Sequence, residues 1–538
     1  MPSGGFGSLR LAVSVIFSNL FDTFVGAAAG APTFGSTKKA LINVGQPPSV
    51  NPVSQPCADC RRPRVHTVII LQRCGPSRAR HATFVPQKCF VIACFVEIMN
   101  HAATSPARPH ALVPLLIFVL AFSVGAAGAG RSLSPKDRQE IFEKVWKEVD
   151  EHYYDPQFSG VNWQEIHQRY LPIVEAATDD QDFYSIVDHM TAELHDAHTR
   201  FSSPEQWENR EKHQGISLGF RPGYVEDKVV VLDVAPDANA AHAGVAPGMI
   251  VTALDGQPIA DRLAESAKSV LPSSTERVTR LRILSNAFAA SVETPVTLSL
   301  QRADGSIFEA KFARQILSNA PRVTYTRLPS GFGYIRFDEF HPSLVKDFKT
   351  ALQNLRNTPG LVLDLRRNRG GVGATLEAMA GYFFDSKTLF EKRMTRKQVT
   401  ATERDGHHTE ESQFYVGRVG GRLYSAPVVI LISEYSASAT EVFAAGMQDA
   451  ARATLVGSRS CGCVLGITHD RVMKGGGVLE ISEILWFSPK GRKLEGEGVI
   501  PDKVVAPTIA SLQQKHDLIL EAGETILRQH MAPPPPNP

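Results

Sequence analysis

Cysteine, long apolar runs and one-sided charge are all scarce in this 538-residue chain, and each scarcity removes a class of protein. Of seven cysteines, five (Cys57, Cys60, Cys74, Cys89 and Cys94) fall in the first 98 residues. From Gly130 onward only Cys461 and Cys463 remain, too few for a disulfide scaffold, so stability there must come from a hydrophobic core. Cys57 and Cys60 have no second pair at zinc-ribbon spacing, so no metal site is expected, and nothing else in the sequence asks for a cofactor. The formal charge is only +2. No basic stripe is interleaved with aromatics, which excludes a nucleic-acid footprint. The apolar run Leu112–Val124 has 13 residues, short for a membrane-spanning helix. A 43% apolar and 21% charged composition is that of an ordinary soluble globular protein, long enough for several domains.

Charge is uneven along the chain. Residues 1–98 hold 10 Lys and Arg against 3 Asp and Glu, whereas 130–538 hold 46 against 52. Residues 1–98 also lack sustained periodicity and are scattered with Gly, Pro, Ser and Arg, so a poorly packed upstream extension is expected. Met99 then opens a segment with Arg108, the apolar Leu112–Val124 and the small-residue site Ala127-Gly128-Ala129. Residues 99–129 therefore read as a secretory signal peptide placed internally, with a membrane anchor as the alternative. Translation from Met99 and a genuine long extension both remain open. The signal-peptide reading puts a mature chain beginning near Gly130 in the periplasm or outside the cell.

Beyond 130 the pattern divides the chain into parts. Ser134–Glu151 has Ile141, Val145, Trp146 and Val149 on one helical face, and with Trp163–Ala176 and Asp180–Leu194 it predicts a helical domain over 134–205. Residues 213–315 change to short strands and turns, with a helical insertion over Ala260–Val292. From 320 to 507 strands (Phe332–Phe337, Leu361–Leu365, Val428–Ile432) alternate with helices (Leu344–Leu355, Ala374–Phe384), which predicts a mixed or largely parallel sheet covered by helices. The polar stretch Lys387–Arg418 is expected to be a long mobile loop, and 508–538 a last helix with a proline-rich tail. The fold class is α/β, as an α+β multidomain chain.

Chemistry is concentrated in three blocks. Ser436-Ala437-Ser438-Ala439-Thr440-Glu441 sits between an apolar strand and an amphipathic helix. Small residues at such a junction let a hydroxyl protrude and leave amides free at the helix start, the geometry an acyl-transfer nucleophile needs. An ordinary Ser-rich helix cap is the alternative. Arg366-Arg367-Asn368-Arg369-Gly370-Gly371 follows the second strand, and its glycines allow close backbone approach toward a developing oxyanion. Leu494–Asp502 adds a carboxylate, Glu495, with turn glycines and a proline stop.

These blocks, in this order, together with Leu194-His195-Asp196-Ala197-His198-Thr199-Arg200-Phe201, resemble the C-terminal-processing (tail-specific) peptidase family of serine proteases over roughly 134–507. The 213–315 segment resembles a PDZ domain, with Ile216-Ser217-Leu218-Gly219-Phe220 as its carboxylate-binding loop. That implies capture of an extended peptide tail as an added strand, with a purely packing or gating element as the alternative. The commonest branch of the family pairs its serine with a lysine and a following glutamine. Those positions fall here on Cys463 and Ile467, and a thiol cannot shuttle protons like an amine unless it is a thiolate. The resemblance to tricorn-type core peptidases supplies another base. It implies Ser438 as nucleophile, His198 as general base and Glu495 as its orienter, with the Gly370 and Ala439 amides as oxyanion hole and Gly371 shaping the turn. Tricorn-type enzymes place a serine just before the histidine, where this chain has Ala197.

His198 has an alternative reading as a structural histidine closing the helical domain, with His469 and Lys474 as substitute bases. His195 reads as a solvated helix residue, and Cys461 and Cys463 as buried small side chains, with a redox-active or metal-binding pair as the alternative, although two ligands alone make a poor metal site. Activity is expected to rise through the ordinary histidine value of about 6.5. The resemblance as a whole implies an exported serine endopeptidase acting on proteins with unstructured tails. The competing class is a catalytically silent peptide-binding adaptor on the same fold, which the missing lysine motivates.

Overall fold

The structure, a computed structural model, describes residues 132–531 apart from 293, 406–409 and 418–422. The extension 1–98, the segment 99–129 and the tail 533–538 lie outside the described residues. Ser134 accepts a hydrogen bond from the Asp137 amide while the Asp137 carboxylate accepts one from the Ser134 amide, and this reciprocal cap starts α1, Pro135–His152. Ile141, Phe142, Val145 and Val149 recur at helical spacing and bury one face against α2 (Trp163–Glu175) and α3 (Asp180–Ala192). The core of this helical part is shared. Phe201, Leu465, Leu479, Ile481 and Leu485 complete it, and Arg200–Ser202 pairs antiparallel with Val478–Glu480. The loop carrying His198 is therefore tethered at both ends, by α3 and by a strand of the C-terminal half.

The second part is an antiparallel sheet in the spatial order β1 (Phe220–Val225), β2 (Lys228–Val234), β3 (Ile250–Leu254), β4 (Pro295–Gln301) and β5 (Ile307–Ala313). Val296, Leu298 and Leu300 alternate into its core, and α4 (Ile259–Ala267) and α5 (Glu276–Ala287) span the connection from β3 to β4. Gln214–Ser217 and Gln315–Ser318 pair at its base.

The third part is a sheet in the order β6 (Val323–Arg327), β7 (Gly333–Phe337), β8 (Leu361–Asp364), β9 (Val428–Ile432), β10 (Ala453–Gly457) and β11 (Lys503–Val504), parallel except for β6 against β7. Ile335, Leu363, Ile430 and Ile432 face α6 (Leu344–Asn354), α7 (Gly373–Ala380) and α8 (Ala439–Asp449). Val362, Val429 and Leu431 pack on Ile519 and Leu527 of α9, Leu518–Met531. Coverage of both faces is why Val428–Ile432 reads as an unbroken apolar run.

One expectation is overturned. The described residues of Lys387–Arg418 are mostly strand and helix: Thr388–Thr395 and Ser412–Val416 are strands of a four-stranded sheet with Ile484–Phe487 and Leu465–Gly466, and Arg396–Asp405 is a helix. The Arg393 guanidinium lies 3.6 and 4.1 Å from the Phe414 and Trp486 ring centroids and 2.7 Å from Glu377, with Glu391 also against it. Cation–π stacking and ion pairs hold these polar strands, so apolar alternation does not announce them. Among the described residues no helix is long and apolar enough to cross a membrane.

Candidate active site

β9 ends at Ile432 and α8 begins at Ala439, with Ser438 at the bend between them. Ser438 has φ 58° and ψ −125°, a conformation L-residues seldom adopt and one that stores strain. Its surroundings over-determine it. The Ser438 amide donates to the Cys463 carbonyl at 2.9 Å and to Glu441 Oε2 at 3.0 Å, the Ala437 amide to the Asn368 carbonyl at 3.2 Å, and the Ser436 hydroxyl to the Leu365 carbonyl at 2.8 Å. Ser438 Oγ faces a histidine, lying 3.0 Å from Nε2 of His198.

His198 is presented by a carboxylate-pinned loop. Asp196 Oδ1 accepts from the His198 and Thr199 amides, both at 2.6 Å, and from the Ser482 hydroxyl at 3.1 Å. Burial pulls the His198 pKa down to about 4, while the charge of Asp196 opposes the shift. The ring is therefore neutral at physiological pH, the form that can accept a proton. His198 Nδ1 and Asp196 Oδ2 are both buried without a hydrogen-bond partner.

Glu495, expected beyond the imidazole, does not bond it. Its Oε2 accepts from the Val464 amide at 2.5 Å, and His198 Nδ1 receives nothing. A buried carboxyl takes the nearest donor, here an amide of the loop that follows the two cysteines. Burial pushes its pKa up to about 8, against the lowering effect of the Ser274 hydroxyl. Ser274 Oγ also accepts from the Ala197 amide at 3.0 Å, so one hydroxyl adjoins both Glu495 and the residue preceding His198. Ser274 precedes α5 and belongs to no recognisable motif, so the sequence carries no local signal for it.

Of the oxyanion residues, Gly370 has its amide committed to Asn368 Oδ1 at 2.9 Å, which corrects its expected role as a donor. It is instead a close-approach glycine. Its φ is 99°, and a Cβ would lie 2.6 Å from Ser438 Cβ and 3.0 Å from the Ala439 nitrogen. Gly371 likewise has φ 134° with Phe340 O against it, and Ala439 opens α8. Two residues that sequence reasoning passed over hold these loops together. Fully buried Asn368 also accepts the Thr440 hydroxyl at 2.6 Å. Fully buried Glu441 accepts from the Ser460 hydroxyl at 2.6 Å and from the Gly462 and Cys463 amides at 2.7 and 3.0 Å. Burial pushes the Glu441 pKa up to about 7 although all these donors favour its ionised form.

Cys461 and Cys463 are buried as expected, but they are joined in a disulfide. The substitute bases are engaged elsewhere: Lys474 pairs with Asp137 and Glu140, and His469 Nδ1 with the Thr468 hydroxyl at 2.9 Å. His195 is exposed, at the end of the helical part. In the antiparallel part, Ile216 and Ser217 lie in the basal strand with Ile216 exposed. Leu218 packs on the core, the Gly219 amide donates to Ser217 Oγ at 3.0 Å, and Phe220 begins the edge strand β1. Among the described residues no group of three or more His, Cys, Asp or Glu is placed to hold a metal ion.

A histidine facing a strained serine at a strand-to-helix bend, over a helix-covered parallel sheet, defines a serine-type peptidase. Comparison with known proteins agrees. Residues 331–505 match Peptidase family S41 and residues 134–192 match the Tricorn protease C1 domain. The carboxyl-terminal-processing protease of Picosynechococcus sp. is 26% identical over 428 residues, covering 78% of this chain and 95% of that protein. The chloroplastic C-terminal processing peptidase of Tetradesmus obliquus is 25% identical over 388 residues, covering 69% and 78%. The crystal structure of mature CPAF shares the fold at a TM-score of 0.55 and 14% identity, over 74% of this chain and 97% of that one.

Proposed function

We propose that this peptidase is an exported endopeptidase that cleaves proteins through an acyl-enzyme on Ser438, with His198 in place of the lysine used by the commonest relatives. The observation that carries the reading is the 3.0 Å approach of His198 Nε2 to Ser438 Oγ. His198 takes the hydroxyl proton as Ser438 attacks the scissile carbonyl, then returns it to the leaving amine; water enters by the same route to release the acyl group. The developing oxyanion lies toward the α8 N-terminus, where the Ala439 amide and the Gly371 amide are the donors, since Gly370 is held by Asn368. Asp196 supports the imidazolium electrostatically rather than by direct contact, through its charge and its grip on the loop, whereas Glu495, which holds its proton up to about pH 8, reaches that loop only as a hydrogen-bonding group through Ser274. The hydroxyl that tricorn-type enzymes carry before the histidine is supplied here from another part of the chain.

The substrate class follows from the PDZ-like antiparallel part. β1 is an edge strand, and an extended, unstructured tail can add to it with its terminus near Ile216–Phe220. Fluorophosphonate labelling of the wild type and of Ser438→Ala tests the reaction. Labelling lost in the variant supports it, whereas equal labelling or none in the wild type would favour the silent adaptor.

A further inference from the structure

The disulfide joins Cys461 to Cys463 across a single residue. A loop that short removes little entropy from the unfolded chain, so the bridge contributes little to global stability. Its contacts point instead at the nucleophile. The Cys463 carbonyl accepts the Ser438 amide at 2.9 Å, and the Cys461 amide donates to the Ser436 carbonyl at 3.0 Å. The Gly462 and Cys463 amides converge on Glu441 at 2.7 and 3.0 Å, and the same carboxylate takes the Ser438 amide at 3.0 Å. From the opposite side the Thr275 hydroxyl donates to the Cys461 carbonyl at 2.9 Å. Gly462 has φ 78°, and a Cβ there would lie 2.7 Å from Thr275 Cγ2, so the turn fills its slot. Two successive amides can aim at one carboxylate only while the peptide planes between the cysteines are held, and the covalent ring holds them.

We propose that the Cys461–Cys463 bridge is a positioning element for Ser438, so that the peptidase works only with the bridge closed. The inference rests on the reading of Ser438 as nucleophile. Closed, the ring fixes the Cys463 carbonyl and Glu441, and through them the Ser438 amide and the direction of its hydroxyl toward His198. Open, the 461–463 backbone turns and that line is lost. A dithiol reductant opens it: the S–S bond breaks, Cys461 and Cys463 each gain one electron and one proton, and the reductant leaves as its own disulfide. A disulfide oxidant reverses the exchange.

The test uses the full chain as prepared oxidised, after dithiothreitol, and after re-oxidation with glutathione disulfide, alongside Cys461→Ala/Cys463→Ala. The bridge is read by mass after alkylation. Opening it is expected to lower kcat on an unfolded protein, and the rate of fluorophosphonate labelling, by about 10- to 100-fold, with KM within about twofold. The melting temperature should stay nearly constant, and re-oxidation should restore both rates. The double variant should start at the low rate and lose nothing more to dithiothreitol. Because it keeps the five upstream cysteines, that result excludes them as the cause. Oxidised-level rates in the reduced chain or in the double variant would overturn the proposal, as would a fall in melting temperature that accounts for the lost rate. If the buried bridge resists dithiothreitol, the double variant decides by the same criterion. Failure of the underlying reading looks different: the oxidised wild type would not label, or Ser438→Ala would label equally.

Discussion

Ser438 carries two properties that work against each other, a reactive position and a strained backbone with φ 58°. Replacement by glycine should therefore abolish hydrolysis while raising stability by about 1 kcal/mol, because glycine adopts that conformation without penalty. Urea unfolding of Ser438→Gly beside wild type measures this, and a destabilised variant would mean the serine side chain contributes more than its strain costs. With His198 as the proposed general base, its titration sets the acid side of the pH profile. Burial lowers its pKa to about 4, so kcat/KM should persist through pH 6 and fall only as the ring protonates toward about 4. That replaces the ordinary histidine value expected from sequence. An acidic limb near 6.5 in the profile would show that the imidazole is more solvated than its surroundings imply.

At the scale of elements, the notable arrangement is α5 and the residues leading into it, which reach from the antiparallel part to the loops carrying Ala197, Ser460 and Glu497. Ser274 touches the Ala197 amide and lowers the pKa of Glu495, while Arg277 donates to the Ser460 and Glu497 carbonyls at 3.2 and 3.0 Å. Ser274→Ala should reduce kcat about two- to tenfold with little change in KM, since a buried hydrogen bond contributes about 0.5–1.5 kcal/mol. Steady-state kinetics on an unfolded protein decide this, and an unchanged kcat would confine Ser274 to packing. None of it was legible in the sequence, because Ser274 lies 77 residues from the amide it binds. The strand pair around Lys387–Arg418 was missed for a different reason: its stability comes from Arg393 stacking and ion pairs, which leave no apolar period.

At the scale of the whole molecule, burial of carboxyls makes stability depend on pH. Glu495 has a folded pKa of about 8 against an ordinary 4.5, so the folded state holds its proton where the unfolded chain has lost it. Its contribution is complete below pH 4.5 and declines as pH rises to about 8. His198 acts oppositely, since the unfolded chain protonates first as pH falls below 6.5. Comparing wild type with Glu495→Gln cancels the histidine effect. The stability of wild type relative to the variant should fall between pH 5 and pH 8, as denaturant midpoints would report, and a constant difference would place Glu495 in contact with water. The far face of the core sheet supplies a second test. Leu527 is fully buried against Val429 and Leu431, so Leu527→Ala should cost about 2–5 kcal/mol, read by urea unfolding. A smaller loss would mean that α9 is dispensable to the core.

The order of helical, antiparallel and α/β parts was legible in the chain because periodicity of apolar residues is a local property: Ile141–Val149 for a helix, Val428–Ile432 for a strand covered on both faces. Ser438 and the Gly370-Gly371 turn were legible for the same reason, since small residues at strand ends mark sharp bends wherever they occur. Which side chains meet was decided only by the tertiary structure. His198 reaches Ser438 across 240 residues of sequence, Glu495 turns to the Val464 amide rather than to the imidazole, and the two cysteines close into a ring whose Cys463 carbonyl accepts the Ser438 amide. Those pairings depend on how three parts pack against one another and on which buried donor stands nearest each carboxyl, and neither quantity is written in any local run of residues.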